Sequence, residues 1–163
     1  MAKQYHVGAL VRISNRITAW LVRVGVPIGT FAVLGVRGRK SGRTIETPLA
    51  VFGFDGKRYL VASYGVVNWV RNLRAAHGAA TLRRGRRVES IRAAELPIDA
   101  AAPVLRSAVR AGPPGIPRPI VRLYRRFFVL PYLDLEVDAP LADFDRAART
   151  HPVFLVETDV LPR

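Results

Sequence analysis

Apolar residues recur at three- and four-residue steps near the start of the chain. Leu10, Ile13, Ile17, Trp20, Leu21 and Val24 form one stripe, and Arg12, Arg16 and Arg23 lie off it. That spacing predicts an amphipathic helix within residues 1–26, stopping before Pro27 and Gly29. Three readings fit it: a helix packed on its own domain, a basic helix lying in a membrane interface, and a targeting peptide. The arginines interrupt any signal-type apolar core, and no cleavage site is evident, which places the targeting peptide last. Residues 27–163 then read as a single domain.

From Thr30 the texture changes to strands. Thr30 to Val36 is apolar and β-branched, and Arg37 to Arg43 forms a polar, Gly-rich turn. Thr44 to Phe54 reads as the returning strand, with Pro48 arguing for an edge or a bulge. Asp55-Gly56 is a two-residue hairpin signal leading into a strand from Arg58 to Ser63. Val66 to Ala76 predicts a short helix with Val66, Trp69, Val70 and Leu73 on one face. Ala79 to Arg84 and Arg87 to Leu96, around a turn at Gly85, make another hairpin, and Asp99 is placed to N-cap a helix to about Arg110. Pro113, Pro114, Pro117 and Pro119 break the chain before an Arg- and aromatic-rich stretch through Tyr132. Asp143 to Thr150 predicts a helix and Pro152 to Thr158 a final strand. Strand hairpins interrupted by one or two helices imply an α+β antiparallel sheet or barrel, not a doubly wound sheet.

Composition narrows the chemistry. The chain has 163 residues, half of them hydrophobic, so it can bury a core without staples. The absence of cysteine excludes disulfides, thiolate zinc sites, iron–sulfur clusters and cysteine nucleophiles. The uncharged stretch Val24 to Val36 is well short of the roughly 20 residues that span a bilayer. Lys plus Arg number 26 against 12 acids, giving a net charge of +14. No acid precedes Glu46, and none lies between Asp99 and Asp134, where Arg106, Arg110, Arg118, Arg122, Arg125 and Arg126 sit. Such asymmetry predicts an anionic partner: nucleic acid, an anionic membrane surface, or an acidic ligand or cofactor.

The motifs discriminate further. Gly35 to Gly42 has the look of a phosphate loop, but Arg39 stands where a P-loop needs glycine before Lys-Ser, and a strand follows instead of a helix. A nucleoside triphosphatase is therefore rejected. The local physics survives: glycines let main-chain amides turn inward, while Arg39, Lys40, Arg43 and the Ser41 hydroxyl supply donors for phosphate oxygens. His6, His77 and His151 are too scattered for a metal site, and no G-x-S-x-G nucleophile elbow exists. His77 reads as a helix C-terminal residue beside a glycine cap. Any catalysis is expected to use a cofactor that carries its own reactivity.

Four segments recur in a characteristic order: Arg37-Gly-Arg39-Lys40-Ser41-Gly42-Arg43, the strand through Thr47-Pro48-Leu49, Val61-Ala62-Ser63, and the helix Asn68-Trp69-Val70-Arg71-Asn72-Leu73-Arg74-Ala75. In this the chain resembles the deazaflavin-dependent nitroreductase family, F420-dependent oxidoreductases of the split β-barrel class found mainly in actinobacteria. The resemblance is firm over Phe31 to Leu96 and weaker at the last strand. It implies an antiparallel, FMN-binding-like split β-barrel with flanking helices and coenzyme F420, an 8-hydroxy-5-deazaflavin, as cofactor. By the same resemblance Arg39, Lys40, Ser41 and Gly42, with Arg43 beside them, hold the phosphate and acidic tail. Pro48 and Leu49 line the ring, Ala62 and Ser63 add main-chain and hydroxyl contacts, and Trp69, Asn72 and Leu73 lie near ring and phosphate. Trp69 reads equally as core packing of an amphipathic helix. Tyr64 is the candidate donor in the pocket; no catalytic residue is otherwise assigned. The chain departs from the family pattern at Tyr64-Gly65-Val66-Val67-Asn68, which is short and lacks the usual lysine and proline. It also offers only Tyr124 and Tyr132 where the nitroreductase branch has a tyrosine-rich substrate wall, so nitroimidazole activity is not carried over.

The leading expectation is a reductase moving a hydride from reduced deazaflavin to a small, hydrophobic, electron-poor acceptor such as a quinone, an enone or a nitroaromatic. The rival is a membrane-associated fatty-acid- or lipid-binding split barrel without turnover, motivated by the N-terminal helix and the Arg118–Tyr132 segment. A cytoplasmic protein, peripheral on the inner face of the cell membrane, accommodates both. Nucleic-acid binding through Arg83, Arg84, Arg86 and Arg87 is disfavoured, because no aromatic residues interleave with that run and no reader motif is present.

Overall fold

The computed structural model describes residues 31–112 and 117–159, with the side chains of Tyr124, Phe127 and Phe128 outside the description. The expected N-terminal helix lies outside the described residues. Six strands, β1 (Phe31–Arg37), β2 (Thr44–Phe54), β3 (Lys57–Val61), β4 (Ala79–Arg84), β5 (Arg87–Glu95) and β6 (Val153–Thr158), close into an antiparallel barrel in the order β1-β2-β3-β6-β5-β4. Helix α1 (Asn68–Ala75) crosses between β3 and β4. Helices α2 (Ile98–Ala111), α3 (Arg118–Tyr124), the short α4 (Leu130–Leu133) and α5 (Leu141–Ala148) fill the connection from β5 to β6. Fold and class are those expected.

Period-two alternation decides which residues enter the barrel. Ala32, Leu34 and Val36 of β1, Leu60 of β3, Leu82 of β4, Ile91 and Ala93 of β5, and Phe154 and Val156 of β6 form the interior, joined by Val70 and Leu73 of α1. The opposite faces of β3 and β6, at Tyr59 and Val153, pack under α2 and α5 against Ala101, Ala102, Leu105, Val109, Phe144 and Ala147. Two cores thus share β3 and β6. Closure leaves few open edges, the usual liability of a sheet.

Turn chemistry matches the sequence at the hairpins. Asp55 and Gly56 both have positive φ, 49° and 69°, as the primed two-residue turn requires. At the end of α1, His77 and Gly78 adopt positive φ, and the Gly78 amide returns to the Leu73 carbonyl at 2.9 Å. A Cβ on Gly78 would meet the Ala93 carbonyl oxygen at 2.4 Å, so only glycine fits there.

One expectation needs correction. Asp99 is not the N-cap of α2: Pro97 holds that position and Asp99 sits in the first turn, where its charge still meets the helix dipole. The stretch through Tyr132, to which the sequence assigned no element, is helical from Arg118 to Leu133: α3 runs through a π-helical segment, Arg125–Val129, into α4, with Pro119 and Pro131 in the opening positions of α3 and α4.

Candidate functional site

The turn between β1 and β2 is shaped by two glycines. The Gly38 amide donates to the Arg43 carbonyl and the Gly42 amide to the Gly38 carbonyl, both at 2.8 Å. Gly42 takes φ 67°. A Cβ on Gly38 would lie 2.8 Å from the Ser41 hydroxyl and 3.1 Å from the Arg43 carbonyl, so the turn closes tightly on itself. Arg39, Lys40, Ser41 and Arg43 are exposed on its outer surface.

One contact joins this turn to the next motif. The main-chain N–H and Nη1 of Arg39 both donate to Oδ1 of Asn72, at 3.3 and 2.8 Å, across 33 residues of sequence. Asn72 is 2% exposed, held by the packing of Val70 and Leu73 into the barrel. A neutral amide oxygen orients the guanidinium without cancelling its charge. An acid in the same place would neutralise it.

Beside this corner, Pro48 pairs with Val33 of β1. β2 meets β3 only from Val51 onward, so Thr47, Pro48 and Leu49 are flanked by a strand on one side among the described residues. Pro48 therefore occupies a local edge, where its missing N–H leaves no gap in a ladder. Leu49 is half-buried against the barrel core.

Other expected site residues fall into two groups. Leu73 is wholly enclosed in the barrel and offers no side-chain surface to a ligand; its part is to seat Asn72. Ala62 is 2% exposed, and its main chain is already engaged: its amide donates to Pro152 and its carbonyl accepts from Gly65. Trp69 is half-buried, with its ring 5.7 Å from that of Phe154 and packed against the barrel core. Ser63 and Tyr64 are half-buried and not enclosed. Tyr64 stands edge-to-face with Tyr132, ring centroids 5.1 Å apart at 90°, so two tyrosines separated by 68 positions meet.

Sequence reasoning gave His151 no role beyond excluding a metal site. It is 7% exposed. Its Nδ1 lies 3.0 Å from both the Ala147 carbonyl and the Thr150 hydroxyl. Burial pushes its imidazole below the usual histidine range, against hydrogen bonds to the main chain of Ala147 and Tyr132 that act upward. No cluster of three metal-ligating side chains occurs among the described residues.

A six-stranded antiparallel barrel with a cationic Gly-rich turn at one edge defines a split-barrel protein. A family model for F420H(2)-dependent quinone reductases matches residues 11–117, and the chain belongs to that family. It is an F420H2-dependent reductase with coenzyme F420 as its cofactor. Among solved structures, a domain-swapped dimer shares 23% identity over 91% of this chain and 96% of its own, with a TM-score of 0.49. An F420-H2 dependent reductase shares 22% over 78% and 94%, with a TM-score of 0.40. A pyridoxamine 5'-phosphate oxidase-related, FMN-binding protein from Nostoc punctiforme shares 11% over 94% and 83%, with a TM-score of 0.48. No curated protein matches the chain.

The residues fit the cofactor. An anionic tail needs charged donors that are oriented but not neutralised, and Arg39 on the neutral Asn72 oxygen meets that need, with Lys40, Ser41 and Arg43 exposed beside it.

Proposed function

We propose that the protein reduces a small, hydrophobic, electron-poor acceptor, with a quinone as the leading candidate. The bond between Arg39 and buried Asn72 is the observation that supports this reading most. It fixes the cationic turn against the helix that seals the barrel, and so defines where an acidic tail can anchor. Arg39, Lys40, Ser41, Gly42 and Arg43 hold the phosphate and tail. Pro48 and Leu49 border the ring, and Ser63 supplies a hydroxyl. Reduced F420, when bound, supplies the hydride. The chain's own residues bind, orient and exclude water, and the barrel edge at Thr47–Leu49 gives a flat ligand room to lie against the sheet. Tyr64 borders the acceptor side and offers its hydroxyl to a carbonyl oxygen, for which a quinone is better suited than a nitroaromatic.

A second reading adds a peripheral contact with an anionic membrane, from which a hydrophobic acceptor would be drawn. Its support is α3, where Ile120 and Leu123 are 56% and 60% exposed beside Arg118 and Arg122. Exposed apolar side chains flanked by arginines suit the lipid interface. No helix among the described residues is long and apolar enough to cross a membrane.

Anaerobic oxidation of F420H2 by the purified protein tests the acceptor, with menadione, an enone and a nitroaromatic compared at equal concentration. Turnover fastest with the quinone supports the proposal. Quinone turnover no faster than the uncatalysed reaction, with F420 bound, overturns it. Co-sedimentation with vesicles containing anionic lipid, abolished by Ile120→Asp with Leu123→Asp, supports the membrane contact.

A further inference from the structure

Helix α1 begins without a cap. Its N-cap residue is Val67, which has no side-chain oxygen to offer, and its first turn holds no acid. The Val67 amide is engaged by the Gly65 carbonyl at 2.8 Å, but the amides of Asn68, Trp69 and Val70 find no acceptor among the described residues. Most helices supply these donors from a Ser, Thr, Asp or Asn at the cap. Left without one, α1 presents three N–H groups and the positive end of its dipole.

A second donor is orphaned beside them. Asn72 is 2% exposed, and its Oδ1 is taken by the main-chain N–H and Nη1 of Arg39. Its Nδ2 has no acceptor among the described residues, and a buried amide N–H is costly to leave unpaired. Asn72 follows Asn68 by four positions on one face of α1, and helix side chains lean toward the N-terminus, so this amide is aimed back over the uncapped turn. Arg39 brings its guanidinium to the same corner from the turn between β1 and β2. Donors from two segments thus meet without an acceptor, beside a helix that carries no acid, which is the complement of a tetrahedral oxyanion.

We propose that the N-terminus of α1, with Nδ2 of Asn72 and the guanidinium of Arg39, receives the phosphate of F420, and that Lys40, Ser41 and Arg43 meet the acidic tail beyond it. The inference rests on the reading that this turn anchors the cofactor, and it adds a phosphate site built largely from main chain. Asn68 is exposed at the opening position of the helix, so its side chain can be changed without touching the core.

Asn68→Asp tests the proposal, because an acid there suits a helix N-terminus but repels a phosphate. Its melting temperature should equal or exceed that of wild type, while its Kd for F420 rises roughly tenfold or more, the scale of one like charge close by near a protein surface. The deazaflavin truncated just after its phosphate should weaken in the same way, and the one truncated just before it should not. Ala75→Asp puts the same charge on the same face at the exposed far end of α1 and should change each Kd by less than about threefold. In 15N-labelled wild type, the amide signals of Asn68, Trp69 and Val70 and the side-chain signals of Asn72 should shift on addition of inorganic phosphate or F420, and in Asn68→Asp phosphate should no longer move them. An F420 affinity unchanged in Asn68→Asp overturns the proposal, as does equal weakening by Ala75→Asp or of the phosphate-free compound. So do first-turn signals that neither phosphate nor F420 moves. Signals moved by phosphate in a protein that does not bind F420 sink the cofactor reading instead, and the anion site stands.

Discussion

Replacing Asn72 by aspartate separates the structural from the electrostatic role of the bond that organises the site. The two side chains have nearly the same shape, so Oδ1 can keep its contacts with the Arg39 amide and Nη1. What changes is charge: a neutral acceptor becomes an anion against the guanidinium. Position 72 is buried, so the introduced carboxylate loses hydration, and pairing with Arg39 offsets that loss. Thermal stability should therefore hold to within about 1–2 kcal/mol. F420 binding should not. Two unit charges about 4 Å apart attract by about 1 kcal/mol in water and about 4 kcal/mol at the effective dielectric near a protein surface. Cancelling one cation of the turn thus weakens F420 by somewhere between about fivefold and several hundredfold, since about 1.4 kcal/mol is a factor of ten. Asn72→Ala provides the contrast. It removes the acceptor, frees the turn, and lowers both stability and affinity, the former by about 1.5–3 kcal/mol for a bond to a charged donor. Fluorescence titration with F420 and thermal denaturation of both variants read these quantities directly. An Asn72→Asp protein that binds F420 as tightly as wild type would refute the reasoning.

Further expectations follow from single contacts. Lys40→Ala should weaken F420 binding severely and leave the melting temperature unchanged, because Lys40 is exposed on the turn; unchanged affinity removes Lys40 from the site. Gly78→Ala should destabilise the fold by about 2 kcal/mol or more, since it combines a positive φ with a collision at the Ala93 carbonyl; denaturant unfolding measures it. Glu89 accepts from Arg58 at 2.9 Å and from the Thr158 hydroxyl at 2.7 Å, and the Arg58 hydrogen bond holds its carboxyl well below the usual range, at about 2. Its folded pKa lies below the unfolded one, so this stabilisation is present above about pH 4.5 and is lost as pH falls toward 2. Wild type should accordingly lose stability more steeply than Glu89→Gln across that window, and equal slopes contradict it.

Much of the barrel was legible because its signals are local. Period-two alternation in Ala32, Leu34 and Val36, the Asp55-Gly56 turn and the Gly85 hairpin each specify geometry within a few residues. The stripe of Val70 and Leu73 marked a helix with a buried face. The Arg39–Asn72 bond was not legible from periodicity, since 33 residues separate its partners. It could be anticipated only from two motifs recurring in fixed order. Leu73 was expected near the cofactor for the same reason, yet its side chain is core; a motif records a residue's necessity without saying whether it touches ligand or holds up one that does. The helices after the proline cluster were missed because proline was taken as a breaker, when at the first turn of α3 and α4 it is a starter. His151 carried no visible signal, because a lone histidine acquires meaning only from the main chain folded around it.

The central claim is that the turn Arg39–Arg43, fixed by Asn72, anchors the acidic tail of F420. Titration of the purified protein with F420, followed by fluorescence at low and high salt with flavin mononucleotide as control, tests it most directly. The account predicts selective binding of F420 that weakens as salt screens the exposed cations. Equal affinity for both compounds, or no binding of F420, would contradict it.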